Sequence, residues 1–99
     1  MELSLFFPAF NEEKNIKKSV KQALSILPKI ADKFEIIIVN DGSTDKTLKI
    51  AEQLERQHEQ VKVVSQPNKG YGGALKLGFE TAKYEWVFFT DADLQFNLA

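Results

Sequence analysis

Cysteine is absent from this 99-residue sequence, and histidine occurs once, at His58. Without cysteine, disulfides and thiolate metal sites are excluded, and a reducing compartment is the expected environment. A single histidine, with no serine in a nucleophile elbow, argues against a Ser-His-Asp triad and against a histidine-rich metal centre. These absences leave the carboxylates as the main candidates for chemistry.

Long apolar runs and an excess of either charge are also missing. No stretch approaches the roughly 18 apolar residues of a membrane helix, and Glu2 stands where a signal peptide would be basic. Thirteen basic and fourteen acidic residues give a net charge of −1, which argues against a nucleic-acid partner bound mainly through charge. The composition, 43% hydrophobic and 27% charged, is typical of one small soluble domain.

Four short apolar runs predict four β-strands, because they are rich in Val, Ile, Phe and Trp. They cover residues 3–7, 34–40, 61–65 and 85–90. The second and fourth are nearly continuous rather than alternating, which predicts strands covered on both faces. The aromatic residues of these runs are accordingly expected in the core: Phe6, Phe7, Phe34, Trp86, Phe88 and Phe89.

Three segments with helical period separate these strands. The first has an apolar stripe from Ile16 to Leu27, with Asn11 as the expected cap and Pro28 as the stop. The second begins after Ser43 or Thr44, either of which can cap it, and the third runs from about residue 72 to 83. The order β-α-β-α-β-α-β predicts an α/β fold: an open, doubly wound, mostly parallel sheet of Rossmann-like type.

Acidic residues follow the strands at their carboxyl ends. Glu12, Asp41, Asp91 and Asp93 come after the first, second and fourth strands. The carboxyl ends of parallel strands share one edge of the sheet, where ligands bind in such folds. We therefore expect these acids to converge. Their mutual repulsion requires a cation or a donor-rich ligand in compensation.

The segment "DADLQ" (91–95) suggests a metal site. Asp91 and Asp93 point to the same side if the segment is extended, and Gln95 adds an amide oxygen nearby. Magnesium takes such oxygen ligands together with phosphate oxygens. An Asp-x-Asp pair alone is a weak signal, and a solvated loop of two acids explains it equally well.

Two further loops have both a structural and a functional interpretation. In "NDGSTD" (40–45), a strand-turn-helix junction accounts for Gly42, Ser43 and Asp45, whereas Asp41 at the strand tip can accept a hydrogen bond from a ribose or a base. In "NKGYGGA" (68–74), glycines at a helix start and Lys69 favour phosphate, or simply form a tight turn. The loop follows the third strand and lacks a third glycine, so a Rossmann dinucleotide motif is excluded, and no Walker A sequence is present.

The four motifs "PAFNEE", "VNDGSTD", "NKGYGGA" and "DADLQ", in this order, resemble the nucleotide-sugar-binding half of family 2 glycosyltransferases with the GT-A fold. The nearest subgroup is similar to dolichol- or polyprenyl-phosphate mannose and glucose synthases. The resemblance covers all 99 residues as one truncated domain, 1–99. It implies a fragment of a longer enzyme, with the catalytic base after Ala99 and little transfer by this piece alone.

The resemblance also implies roles for individual residues. Asp41 would hydrogen-bond the base of the nucleotide-sugar. Lys69 would lie near the nucleotide, and Asp91 near its ribose and the metal. The metal, Mg²⁺ or Mn²⁺, would be held by Asp91, Asp93 and Gln95. The remaining implied donor-site residues are Pro8, Ala9, Phe10, Glu12 and Ala92.

The implied reaction is inverting transfer of a sugar from a UDP- or GDP-sugar to a polyprenyl phosphate or a glycan, as in cell-wall or glycan biosynthesis. The expected location is the cytoplasm, or the cytoplasmic face of a membrane reached through regions outside this chain. The protein could also form a homo-oligomer.

Two alternative functions stay open. One is a non-catalytic nucleotide-binding or interaction module. The other is a nucleotidyltransferase, although no basic triphosphate loop follows the first strand. A receiver domain is disfavoured, because Gln66-Pro67-Asn68 stands where its phosphoacceptor Asp would be.

Overall fold

The computed structural model describes residues 1–91, which form alternating strands and helices. The strands are β1 (Glu2–Ala9), β2 (Lys33–Asp41), β3 (Val61–Gln66) and β4 (Trp86–Phe89). The helices are α1 (Ile16–Ile26), α2 (Thr47–Gln57) and α3 (Gly70–Thr81), and a 3-10 turn (Leu27–Lys29) containing Pro28 follows α1.

The sheet has the order β3-β2-β1-β4, and every pairing is parallel. Ala9 pairs with Asn40 and Asp41 with Gln66, so the carboxyl ends of β1, β2 and β3 lie side by side. This confirms the α/β, parallel, doubly wound prediction. The loops after β1, β2 and β3 consequently leave the same edge of the sheet, and so does the chain at Thr90 and Asp91 after β4.

Helices cover both faces of the sheet, because successive strand residues point to opposite sides. Phe7 and Ile38 pack in a cluster with Val20 of α1 and Leu54 of α2. Their sequence neighbours Phe6, Ile37 and Val39 pack against Ala74 of α3 on the other face. The continuous apolar run of β2 is therefore buried on both sides, as predicted.

The fourth strand departs from the prediction. Trp86, Phe88 and Phe89 were expected in the core, yet they are 51%, 48% and 43% exposed. Within residues 1–91, β4 is an edge strand whose only partner is β1. Phe89 still stacks on the buried Phe6 with ring centroids 5.5 Å apart. The apolar run correctly indicated a strand, but burial also depends on what lies beside it.

Candidate functional site

A cavity of about 290 Å³ lies at the carboxyl edge of the sheet. It is lined by the carboxyl end of β1 and the loop after it, by the last residue of β2, by the first turns of α3 with Asn68 before them, and by Asp91 after β4, so four chain segments contribute to it. The lining residues that the sequence predicted are Pro8, Ala9, Phe10, Glu12, Asp41 and Asp91. Asn68, Gly70, Tyr71 and Ala74 complete it and were missed. The expected convergence of Glu12, Asp41 and Asp91 is therefore what the structure shows.

The loop after β1 is held by Asn11. Its backbone has a φ of 53°, in the left-handed region that Asn tolerates better than most residues. Its Oδ1 accepts hydrogen bonds from the backbone N–H groups of Thr44 (2.8 Å) and Asp45 (3.3 Å). Asn11 was expected to cap α1, which is wrong: the residue before α1 is Asn15. Asn11 instead joins the β1–α1 loop to the β2–α2 loop.

Two more hydrogen bonds join the same loops. The backbone N–H of Glu12 donates to Thr47 Oγ1 at 2.8 Å, and that of Glu13 donates to Asp45 Oδ2 at 3.3 Å. Thr47 in turn donates to Asp45 through its backbone and its hydroxyl. Neither Ser43 nor Thr44 caps α2, which begins after Lys46. Asp45 is structural, as the turn interpretation predicted, and the network fixes the position of Glu12.

Asp41 is a buried carboxylate, 3% exposed, at the tip of β2. Its Oδ1 accepts hydrogen bonds from Gln66 Nε2 (3.0 Å) and from the backbone N–H of Lys69 (2.8 Å). Its backbone carbonyl accepts one from Asn68 Nδ2 (3.2 Å). Because the glycine loop supplies two of these donors, Asp41 also holds the start of α3 against the sheet.

Gly42 allows this contact. Its φ is +69°, and a Cβ there would lie 2.5 Å from the backbone nitrogen of Asn68. Any side chain would push the two loops apart, and the left-handed conformation would be strained. Glycine at this position is thus required by the close approach of the β3–α3 loop.

Tyr71 and Asp91 meet across the cavity. Tyr71 is 54% exposed, and its hydroxyl lies within the influence of the Asp91 carboxylate. Partial desolvation, together with the negative charge and the hydrogen-bond acceptor that Asp91 presents, raises the pKa of Tyr71 above its ordinary value. The signal for Tyr71 was its place inside the glycine loop, in which only the glycines and Lys69 were given a functional interpretation. Lys69 contributes its backbone N–H, and its side chain does not line the cavity.

The predicted metal ligands are only partly placed. Asp91 lines the cavity, whereas Ala92, Asp93 and Gln95 lie outside the described residues. No group of three or more His, Cys, Asp or Glu side chains that could hold a metal is present within residues 1–91. The one placed ligand fits a hard cation, because carboxylate oxygen is the donor that Mg²⁺ and Mn²⁺ prefer.

A larger cavity, about 490 Å³, lies at the opposite edge, between the amino ends of β2 and β3 and the segment before β4. Its buried acid, Glu35, accepts hydrogen bonds from Ser4 Oγ (2.6 Å) and the backbone N–H of Lys83 (2.8 Å). Acids and lysines both line it. In a parallel α/β sheet the carboxyl edge is the ligand edge, so the smaller cavity is the candidate site.

The fold and this edge define the class of protein: an α/β domain of the GT-A type. The chain belongs to glycosyl transferase family 2, whose profile matches residues 4–98. It is 34% identical over 100 residues to a human dolichyl-phosphate beta-glucosyltransferase, covering 93% of this chain and 31% of that protein. It thus spans about a third of the length of the curated relatives it matches.

Solved structures agree with this family assignment. S. aureus TarS 1-349 in complex with UDP-GlcNAc aligns with a TM-score of 0.80 and 32% identity, over 94% of this chain and 27% of that one. Mannosyltransferase PcManGT from Pyrobaculum calidifontis, in complex with GDP-Man and Mn2+, gives a TM-score of 0.81 and 26% identity, over 92% and 27% of the chains. Among the described residues, none of the helices has the length and apolar character needed to span a bilayer.

Proposed function

We propose that this protein binds a nucleoside-diphosphate sugar, with Mg²⁺ or Mn²⁺, in the cavity at the carboxyl edge. The observation that carries the proposal is the convergence of Phe10, Glu12, Asp41 and Asp91 on one cavity from three strand ends. Such a concave site with a few converging polar groups is what a small-molecule ligand requires. The complexes of TarS with UDP-GlcNAc and of PcManGT with GDP-Man and Mn2+ support a ligand of this class.

Each cavity residue has a proposed role. Pro8, Ala9 and Phe10 form the apolar wall for the base, with the half-exposed ring of Phe10 available for stacking. Glu12 accepts hydrogen bonds from the ribose, and Asp41 accepts one from the base. The glycine loop at the start of α3 faces the diphosphate in this proposal, because N–H groups at a helix start favour anions. The Lys69 side chain, which does not line the cavity, would add its charge only by turning toward the diphosphate.

In this proposal Asp91 and Ala92 would contact the ribose, and Asp91, Asp93 and Gln95 would hold the metal. When bound, the cation neutralises the negative charge of the diphosphate as the sugar leaves. The residues of this chain orient the donor so that one face of its anomeric carbon is open, which fits inverting transfer. None of the described residues is a convincing general base. A polyprenyl phosphate acceptor is already anionic and needs none, whereas a glycan hydroxyl would need one.

We further propose that the chain is the donor-binding part, residues 1–99, of a longer enzyme at or near the cytoplasmic face of a membrane. The half-exposed aromatic residues of β4 and the threefold greater length of the relatives support this. The acceptor site and the base would then lie after Ala99. This part alone would transfer little or no sugar.

Calorimetric titration of UDP- and GDP-sugars, with and without Mn²⁺, tests the proposal. We expect binding that strengthens with Mn²⁺ and loses that strengthening in Asp93→Ala. Asp32→Ala is the matched control, because Asp32 lies beside the cavity at the opposite edge. Metal-independent binding would instead indicate a non-catalytic nucleotide-binding module, and no binding at all would refute the donor site.

A further inference from the structure

We infer that Asp41 and Gln66 together select a base of the uracil or thymine type over guanine. A base of this type carries one ring N–H between two carbonyl groups. The inference rests on the proposed function, since it assigns the base of the nucleotide that fills the cavity. Its basis is the way in which one oxygen of Asp41 is already used by the protein.

Oδ1 of Asp41 has no capacity left for a ligand. It accepts hydrogen bonds from Gln66 Nε2 at 3.0 Å and from the backbone N–H of Lys69 at 2.8 Å. A carboxylate oxygen has two lone-pair positions, and these two donors fill them. Both hydrogen bonds that the carboxylate accepts within residues 1–91 end on Oδ1. Asp41 therefore offers a ligand in the cavity a single acceptor, Oδ2.

The sheet holds this arrangement rigid. Asp41 ends β2 and pairs in register with Gln66, which ends β3. Asp41 is 3% exposed, so its side chain has little room to turn. Rotation that presented both oxygens to the cavity would break two hydrogen bonds and leave the Lys69 N–H without its partner. Losing a partner of a buried polar group carries a large energetic cost.

Bases differ in what they ask of such a carboxylate. Guanine presents a ring N–H and an amino group side by side, which pair best with two carboxylate oxygens. Uracil and thymine present one N–H, for which one oxygen suffices. Against Asp41 the second guanine donor would lose its water without gaining a partner, and sites reject ligands on this ground strongly. Cytosine has an acceptor at the same ring position, which Oδ2 would repel.

The test compares UDP, GDP and CDP, which share the same ribose, by calorimetry at one saturating Mn²⁺ concentration. We expect UDP to bind about tenfold more tightly than GDP, and CDP to bind weakest. Gln66→Met removes the amide donor at nearly equal length and frees one lone pair of Oδ1. The ratio of the GDP and UDP dissociation constants should then fall about threefold or more. Gln53→Met, on the exposed side of α2, should leave the ratio unchanged.

Circular dichroism and the thermal midpoint show whether Gln66→Met folds, and Gln66→Ala is the second variant. If neither folds, the wild-type ratios alone decide. Equal binding of GDP and UDP by the wild type overturns the inference but leaves the proposed function standing. If folded Gln66→Met has the same ratio of GDP to UDP dissociation constants as the wild type, the inference is likewise overturned and the proposed function stands. If no nucleoside diphosphate binds, the proposed function fails and takes the inference with it.

Discussion

Tyr71 and Asp91 line the same cavity, and the Asp91 carboxylate acts to raise the pKa of the Tyr71 hydroxyl. Tyr71 lies in the first turn of α3, and Asp91 follows the end of β4 by two residues. The cavity thus brings the glycine loop beside Asp91, the first residue of the Asp-x-Asp pair. Both residues line the candidate donor cavity, so a change in one is expected to affect the other.

Asp91→Asn should lower the pKa of Tyr71 toward its ordinary value of about 10. Desolvation remains in the variant, but the charge of Asp91 that helps to raise this pKa is removed. The pKa of Tyr71 is higher in the folded than in the unfolded protein. The contribution of Tyr71 to the free energy of unfolding is therefore fully present below its unfolded pKa, and it is lost as pH rises through its folded pKa. Phenolate absorbance of wild type and variant, with a Tyr71→Phe protein identifying the signal, measures the shift. An unchanged Tyr71 titration would show that the Asp91 carboxylate does not act on the Tyr71 hydroxyl.

Gly78 and Gly72 form a matched pair within α3. A Cβ at Gly78 would lie 2.3 Å from the ring of Phe6, whereas a Cβ at Gly72 would meet nothing within 4 Å. Gly78→Ala should therefore destabilise the fold by about 1–3 kcal/mol through overpacking. Gly72→Ala should stabilise it by roughly 0.5–1 kcal/mol, because alanine is the better helix former. Urea unfolding of both variants gives the two free energies, and equal values would show that α3 does not pack closely on Phe6.

The order of elements along the chain, the parallel sheet and its ligand edge were predictable because they depend on patterns along the chain. The stripe from Ile16 to Leu27 has the period of a helix, and the short β-branched run of β2 has the length and composition of a buried strand. Parallel topology then places Glu12 and Asp41 at one edge. Nothing further was needed to expect that they line one cavity.

Contacts between loops were not predictable, because they depend on geometry across many residues. Asn11 has the side chain of a helix cap, yet its Oδ1 faces residues 44 and 45, more than thirty positions away. Tyr71 has no period or motif that distinguishes it from a turn residue. The exposure of Trp86 and Phe88 likewise depends on what neighbours β4.

Ser4 links three elements at the edge opposite the candidate site. Its buried hydroxyl donates to Glu35 Oε2 at 2.6 Å and accepts from the backbone N–H of Tyr84 at 3.1 Å. Ser4→Ala would leave both groups short of a partner and should cost about 1–3 kcal/mol of unfolding free energy. Ser25→Ala is the control, since the exposed Ser25 bonds only the Gln22 carbonyl; it should change stability by less than about 0.5 kcal/mol. If Ser4→Ala and Ser25→Ala lower the free energy of unfolding by similar amounts, the hydrogen bonds of Ser4 do not stabilise the fold beyond those of an exposed serine.

The Asp45–Thr47 contact should make the stability of the joined loops depend on pH. Desolvation acts to raise the pKa of Asp45, but hydrogen bonds from the Thr47 hydroxyl and from backbone N–H groups outweigh it and lower the pKa. A lowered folded-state pKa stabilises above the unfolded value of about 3.9, and that stabilisation is lost as pH falls through the folded pKa.

The thermal midpoint of the wild type should therefore exceed that of Asp45→Asn at pH 6, and the difference should shrink below about pH 4. Thr47→Val, which removes the hydroxyl at nearly equal volume, should weaken this pH dependence, whereas Thr47→Ser should keep it. Because Thr47 also accepts the N–H of Glu12 at 2.8 Å, the Val variant should in addition weaken nucleotide binding in the neighbouring cavity. A midpoint difference that stays constant from pH 6 to pH 3 would show that Asp45 is held by no stronger contacts in the folded protein than in the unfolded chain.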